Sequence, residues 1–471
     1  MEPKYIAVID AGSSTIKGAV AAVDPSGGIN VLAVEEAPAA DAVRYGRVQN
    51  AREISARADE IVRRLENNPA VAPACITTVF VANGGRSLCS AASTGEVQQT
   101  ADTEVTAVTV ERLHKEARFN LGTDRDVLAI APKQYFVDNV ETKTPVGAFG
   151  ERVRGEFTFI TASPENQRNL QRVKLTSHGR EIGKEYITRL LAQTGMALTD
   201  SDRQLGCLYI DFGAETTTLA VYRDGALEMA AALPMGSRNI SRDLSAGLGI
   251  TEDNAETLKL ERGQAVNERA NIDAPDAETR EIINYVSARV GEIVANVVNA
   301  VTHSGIKTDD LKAGIVMSGG GSRLTGLAAT LEAQTRMKVR RAAVDRSIRA
   351  QSPDIRVAEI FDLIALIKYA ADRSTASCLQ APDPVIAGLE AEPADVADTP
   401  VAQPVRTDLA GMRPGRRAPV DEDSLLADDD GMDDPLPEPG ATPEETRRSL
   451  LERLKNWIAP KVDDLDEEED E

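Results

Sequence analysis

Cysteine, histidine and aromatic residues are scarce in this chain of 471 residues: four Cys, three His, one Trp, and aromatics at 4% overall. The cysteines (75, 89, 207 and 378) show neither CxxC spacing nor the density of a disulfide framework, which argues against a zinc module or a stapled scaffold. His114, His178 and His303 stand far apart in sequence, without a metal-ligand pattern around them. No apolar run reaches the ~18 residues of a membrane span, and MEPKYIAVIDAG lacks the basic and apolar segments of a signal peptide. The expectation is a cytoplasmic chain that does not cross a membrane. Positive charge is also in deficit, 53 Lys and Arg against 75 Asp and Glu, for a net −22. With no broad basic field, nucleic acid is excluded as a partner.

The acidity is unevenly placed. Residues 376–471 carry 26 acidic and 9 basic side chains, so the preceding body is only mildly acidic. Apolar residues make up 42%, enough for a substantial core, and the length allows about three domain-sized units.

The body contains one pattern twice. YIAVID (5–10) reads as a buried strand entering a Gly/Ser/Thr turn and a second strand, AVAAVD; CLYID (207–211) begins the same way. An offset of 201 pairs Asp10 with Asp211, Gly12 with Gly213, Thr15 with Thr216, and Ala19-Val20 with Ala220-Val221. Two similar halves imply a cleft between them. Residues 52–67, 180–195, 251–262 and 279–303 have helical apolar spacing, 127–161 alternate as strands, and 313–317 form a buried strand before SGGGSRLTG. Alternating strands and helices place the chain in the α/β class.

The first turn, Asp10-Ala11-Gly12-Ser13-Ser14-Thr15-Ile16-Lys17, suits phosphate. Glycine admits close backbone approach, hydroxyls donate hydrogen bonds, and Lys17 adds charge. Asp211, Gly213, Ala214 and Thr216 form the opposing jaw. Asp10 and Asp211 are candidates to hold Mg²⁺ through water, and Asp211 to orient an attacking water. Gly319-Gly320-Gly321-Ser322, between strand and helix, offers backbone amides to an anion or nucleoside edge. One such loop alone reads equally well as a plain hairpin; two matched loops plus a third glycine cluster favour phosphate. Neither GxGxxG nor GxxxxGK[ST] is satisfied, which disfavours dinucleotide-binding and P-loop proteins. Glu256 and Lys259 share a helix face at i, i+3, where the plain reading is a solvated ion pair.

These residues resemble the FtsA family of bacterial cell-division proteins, within the actin-like ATPase superfamily, over 5–375. Asp10–Lys17 is similar to the first phosphate motif, Asp211–Thr216 to the second and Gly319–Ser322 to the adenosine motif. That trio recurs in actins, sugar kinases and heat-shock chaperone ATPases; 128–161, with its PVG turn, is more specific. The stretch 247–263 resembles the helix that contacts the nucleoside, which makes Glu256 and Lys259 adenosine contacts.

The resemblance implies an actin-like ATPase fold of two related halves. Subdomain 1A would span 1–84 and 163–204, an inserted 1C 85–162, 2A 205–235 and 313–375, and 2B 236–312. It further implies ATP and Mg²⁺ as cofactors, with at most weak ATPase activity. Partners would be other copies of the chain through 1C, the C-terminal peptide of the tubulin-like GTPase FtsZ through 2B, further divisome proteins and an anionic membrane. Arg262, Arg269 and Arg289 are candidates for that acidic peptide, against the plainer reading of solvated charges. The site of action would be the cytoplasmic face of the membrane at the division site. A small-molecule kinase of the same fold lacks an independent catalytic-Asp motif here; another actin-like protein, of the pilus-assembly or plasmid-segregation type, is the alternative, the segregation type being disfavoured by 128–161 and the terminal amphipathic helix.

Beyond 375, proline, Asp and Ala dominate, so 376–441 reads as a disordered linker. A helix is expected at 442–459, with Thr442 and Glu445 as a capping box, Pro443 at its first position and Pro460 after it. Leu450, Leu451, Leu454, Trp457 and Ile458 gather on one face, flanked by Arg448, Arg453 and Lys455, as in a helix lying on a membrane. The acidic tail, 460–471, would oppose that contact with anionic lipid.

Overall fold

The computed structural model describes residues 3–266 and 274–381. The expected helix 442–459, its membrane-facing residues, the tail 460–471 and the linker from 382 onward lie outside the described residues.

The apolar run of the first hairpin forms β1 (Lys4–Ala11) and β2 (Thr15–Val23), antiparallel and in a register that sets Asp10 opposite Lys17. β3 (Ile29–Pro38) follows, with a register shift in β2 between Val20 and Ala21. Helix α1 (Ala51–Glu66) starts where the Asn50 side chain accepts the Glu53 backbone N–H, and it buries Ile54, Ala58, Ile61, Val62 and Leu65. Its close approach explains Gly18: a Cβ there would stand 2.5 Å from the Ile61 Cγ2. β4 (Thr78–Asn83) then runs parallel to β1.

The insertion comes next: β5 (Cys89–Gln98), α2 (Ala107–Asn120), β6 (Asp126–Val137) and β7 (Arg152–Ala162). β7 pairs antiparallel with both β5 and β6. α2 lies so close to β5 that a Cβ on Gly95 would meet the Leu113 carbonyl oxygen at 2.2 Å. Leu113, Ala117, Tyr135, Val153, Phe157 and Phe159 give this segment a core of its own, with Tyr135 and Phe159 packed edge-on to Phe157.

Helical spacing over 180–195 is only half realised. Residues Gly183–Thr188 are strand β8, parallel to β4, and the helix α3 covers Arg189–Ala197. Tyr186, Ile187 and Thr188 favour a strand, and pairing with β4 overrides a periodicity that short apolar runs leave ambiguous.

The second half repeats the first. β9 (Cys207–Phe212), β10 (Thr217–Arg223) and β11 (Ala226–Leu233) form the second hairpin and its third strand. Asp211 faces Thr218, the same register as Asp10 facing Lys17, and the shift in β10 falls between Val221 and Tyr222, again 201 residues on. Helices α4 (Ser237–Leu248), α5 (Glu252–Arg262) and α6 (Ala277–His303) follow. β12 (Gly314–Ser318) lies parallel to β9, then come α7 (Leu327–Thr335), β13 (Val339–Arg341) parallel to β12, and α8 (Phe361–Arg373).

One sheet therefore reads β8-β4-β1-β2-β3, with Arg349–Ala350 at its edge. The other reads Val140–Thr142, β6-β7-β5, then β11-β10-β9-β12-β13. The five-stranded cores match strand for strand, and the insertion prolongs the second through the pair Cys89–Ala231. The described fold also runs past the boundary expected at 375: Leu379–Gln380 pairs with Cys75–Ile76, and Cys378 is buried. Among the described residues, no helix is long and apolar enough to cross a membrane.

Candidate functional site

The two turns close in the same way. Gly12 N–H donates to the Thr15 carbonyl at 3.0 Å, and Gly213 N–H to the Thr216 carbonyl at 2.8 Å. In the first turn the Ser13 hydroxyl accepts the Gly46 N–H at 2.8 Å, which leaves its own proton to donate. Lys17 is partly exposed, with its Nζ 3.8 Å from Glu36.

Behind the turns lies a cluster of charges. Asp10 accepts from the Arg189 guanidinium. Asp211, 7% exposed, accepts from Gln193 Nε2 at 3.1 Å and from the Ser318 hydroxyl at 3.3 Å. Ser318 in turn lies 2.5 Å from the Tyr209 hydroxyl, which must then be the donor. Gln193 Nε2 also donates to Asp362 at 2.8 Å, so one amide bridges two carboxyls. Loss of solvent pushes the Asp362 carboxyl up to about 7, reinforced by Asp211 and Asp10 and opposed by Gln193 and Arg189. Asp211 moves the same way, chiefly by burial, against Arg189 and Gln193. Burial works against the charge of Arg189, yet Asp10, Asp211 and Asp362 hold its pKa above the ordinary value.

Arg189, Gln193 and Asp362 were absent from the sequence reading, because they come from α3 and α8, remote from any loop motif. A signal existed: Gln193 interrupts the apolar stretch of α3 and Asp362 directly precedes the apolar run LIALI of α8.

Glu215, in the second turn, was also missed. It is fully buried and accepts the Tyr45 backbone N–H at 2.7 Å and the Arg242 and Arg238 guanidinium groups at 2.7 and 3.3 Å. Arg44 stands 3.5 Å away. This carboxylate ties the strap at 44–46, from the first half, to the second turn and to α4.

On the far side, Gly319 (φ +83°) permits contact with the second turn, since a Cβ would fall 2.4 Å from Asp211 Oδ1 and from the Phe212 carbonyl oxygen. Gly320 borders open space, Gly321 backs onto Phe212, and the Ser322 hydroxyl donates to the Gly319 carbonyl at 2.7 Å. Lys259 is buried and spends its ammonium protons on Glu256 at 2.6 Å, the Ser241 hydroxyl at 3.1 Å and the Ser237 carbonyl at 3.2 Å. Glu256, bonded also to Ser241, is the more exposed of the pair. Of the arginines proposed for an acidic peptide, Arg289 is committed to Asp243 and Glu292, Arg262 pairs with Glu278 at 2.9 Å, and Arg269 lies outside the described residues.

Away from the cleft, the fold unites residues that sequence separation kept apart. Ligand atoms of Glu66, Cys75 and His178 lie within 4.8 Å of one another. Glu66 there already accepts from the Ile76 N–H at 2.7 Å and the Ser177 hydroxyl at 2.6 Å.

Paired five-stranded sheets with facing, identically closed turns define an actin-like ATPase fold. The PilM–PilN type IV pilus biogenesis complex shares it, at TM-score 0.56 and 14% identity, covering 78% of this chain and 99% of that one. Residues 208–359 match the family model "Cell division protein FtsA", and 85–161 match "SHS2 domain inserted in FTSA". Cell division protein FtsA of Porphyromonas gingivalis is 29% identical over 338 residues, covering 69% of this chain and 70% of the relative. That of Neisseria meningitidis serogroup B is 29% identical over 356 residues, covering 73% and 84%. This chain belongs to the FtsA family.

Proposed function

We propose that the chain is an ATP-binding, self-assembling cell-division protein that tethers FtsZ filaments to the inner face of the cytoplasmic membrane and recruits further divisome proteins. The observation that carries the nucleotide part is the pair of turns at Asp10–Lys17 and Asp211–Thr216, alike in sequence, register and closing hydrogen bond. Phosphates would meet the turn amides, the Ser13 and Ser14 hydroxyls and Lys17; the nucleoside would lie toward Gly319–Ser322 and Glu256. In this reading 1–84 with 163–204 and 205–235 with 313–375 form the jaws, 85–162 is the 1C insertion, and 236–312 receives the FtsZ peptide.

Mg²⁺ between Asp10 and Asp211 fits the side chains present. A hydrated divalent cation needs carboxylate oxygens free to accept from its waters. Here Arg189 bonds one oxygen of Asp10, and Gln193 and Ser318 bond one each of Asp211, so both carboxylates keep lone pairs for metal-bound waters. Asp10 and Asp211 would hold the ion through its waters, where it would neutralise phosphate charge.

Self-association through the insertion is supported by its surface. Among the exposed large apolar side chains of the described residues, Val108, Phe119, Val140, Val146 and Phe149 all belong to it. The segment 442–459 would bind lipid weakly alone, and polymers would bind through many copies at once.

Calorimetry with ATP tests the cleft. Lys17→Ala removes a charge-assisted contact and should cost about 1.5–3 kcal/mol, roughly ten- to hundredfold in affinity. Equal ATP affinity for wild type, Lys17→Ala and Asp211→Ala would remove this reading. Flotation with anionic liposomes and purified FtsZ tests the tether. Wild type should carry FtsZ upward with ATP, and Trp457→Glu should leave both proteins below; a floating variant would take the anchor away from 442–459.

A further inference from the structure

We infer that Glu66, Cys75 and His178 form a binding site for one Zn²⁺ ion in the first half of the molecule. The inference stands apart from the nucleotide reading above and shares no residue with the cleft.

The three side chains come from separate segments. Glu66 is the last residue of α1, Cys75 opens the short strand Cys75–Ile76, and His178 sits in the turn between Thr176–Ser177 and Arg180–Glu181. No local motif can announce such a set, which is why cysteine spacing alone argued against a zinc module. In the fold their ligand atoms lie within 4.8 Å of one another, with Glu66 Oε2 3.6 Å from His178 Nε2. Donors about 2.0–2.3 Å from a shared tetrahedral ion stand about 3.3–3.6 Å apart, so the spread of 4.8 Å would close by roughly 1 Å on binding.

Hydrogen bonds to Glu66 tie the set together. Its Oε1 accepts the Ile76 N–H at 2.7 Å and the Ser177 hydroxyl at 2.6 Å. Ile76 adjoins Cys75 and Ser177 adjoins His178, so one carboxylate oxygen orders both of the other ligand segments. Bonds of this kind fix the orientation of a metal-ligating carboxylate. His178 (φ +45°) and Gly179 (φ +73°) form a two-residue hairpin turn, left-handed at both positions. Asn, Asp and Gly are the usual residues of such a turn; this one carries an imidazole and brings it to Glu66. Glu66 is buried, Cys75 half-buried and His178 exposed, which gives an ion an entry path and leaves its fourth position to water. Thiolate, imidazole and carboxylate together suit Zn²⁺, whereas Mg²⁺ and Ca²⁺ take oxygen alone. Binding releases the Cys75 thiol proton to solvent, and the two anionic ligands then balance the charge of the ion.

Metal-free full-length protein is titrated with Co²⁺, a coloured stand-in for zinc, and then with Zn²⁺. Wild type should develop a thiolate-to-cobalt charge-transfer band that saturates at one equivalent, and Zn²⁺ should abolish it. No Cys or His follows Cys378, so the acidic C-terminal stretch can offer oxygen ligands but not that band. Cys75→Ser should lose the band. His178→Asn keeps the turn, since Asn tolerates positive φ, and should bind zinc at least about tenfold more weakly against a chromophoric chelator. Zinc should also raise the melting temperature of wild type and leave that of Cys75→Ser where it was. Absence of the band in wild type overturns the site. A band that survives Cys75→Ser belongs to another cysteine and overturns it too, as does equal zinc affinity in His178→Asn. Should Cys75→Ser fail to fold, the comparison of wild type with His178→Asn decides alone.

Discussion

Asp362 links the cleft to pH. An acid whose pKa rises on folding, here from 3.8 to about 7, holds its proton more tightly in the folded chain than in the unfolded one. Below pH 3.8 both states are protonated and no penalty exists. Between that value and about 7 the unfolded chain ionises first, so stability falls as pH rises, and above 7 the full penalty stays. The groups facing it are Asp211, Asp10, Gln193 and Arg189, so part of the effect is shared with Asp211. Asp362→Asn keeps an oxygen for the Gln193 amide and removes the ionisation. Its melting temperature should exceed that of wild type at pH 8 by clearly more than at pH 4. Equal differences at both values would mean that Asp362 does not titrate in this window. At this scale the sequence was readable only where it repeats itself. Asp10 and Asp211 were found because a similar neighbourhood recurs 201 residues on, whereas Arg189, Gln193 and Asp362 acquire meaning only when α3 and α8 cross behind the turns.

Individual elements were legible where one face is buried and a cap marks the end. α1 has its Asn50 cap and a regular apolar stripe, and α6 begins at Asp276, whose carboxylate accepts the Thr279 N–H at 2.6 Å. β8 was misread because its partner strand, more than 90 residues earlier in the chain, supplies what its own sequence does not. Glycines in strands were the other silent signal. Gly95 has no turn to make; it exists because the backbone of α2 rests on β5. Gly95→Val would force that helix off the strand, an overpacking worth about 1–3 kcal/mol or more since the obstacle is backbone. Thermal unfolding should report the loss, with amides of 107–120 exchanging faster in deuterium; an unchanged exchange pattern would mean that α2 has another support.

For the molecule as a whole, the insertion carries exposed apolar side chains and extends the second sheet. Its exposed Val140 and Phe149 would offer apolar area to a second copy in the proposed assembly, while its strand β5 meets the edge of β11 at the pair Cys89–Ala231 and so blocks part of a template for pairing. Removing 86–161 would uncover that edge, so point substitutions separate the two roles better. Val140→Glu with Phe149→Glu should abolish ATP-dependent sedimentation of polymers and leave ATP affinity within about twofold. Polymers that persist in the double variant would put the contact elsewhere.

The seam between insertion and cleft has a mechanical meaning. The ladder that is many pairs long within each part narrows there to the pair Cys89–Ala231. A few bonds reinforce it: Ala232 N–H to the Leu88 carbonyl, Ala230 N–H to Ser90, the Thr158 hydroxyl to the Leu227 carbonyl, and the Lys133–Glu228 ion pair. Beyond that seam, β11, β10 and β9 lead strand by strand to Asp211. If copies assemble through the insertion as proposed, strain at that contact would reach the Asp211 turn partly through this narrow joint. An apolar cluster that includes Leu88, Ile160, Leu190 and Leu227 packs the same seam, so the stiffness of such a lever would come from side-chain packing as much as from the ladder.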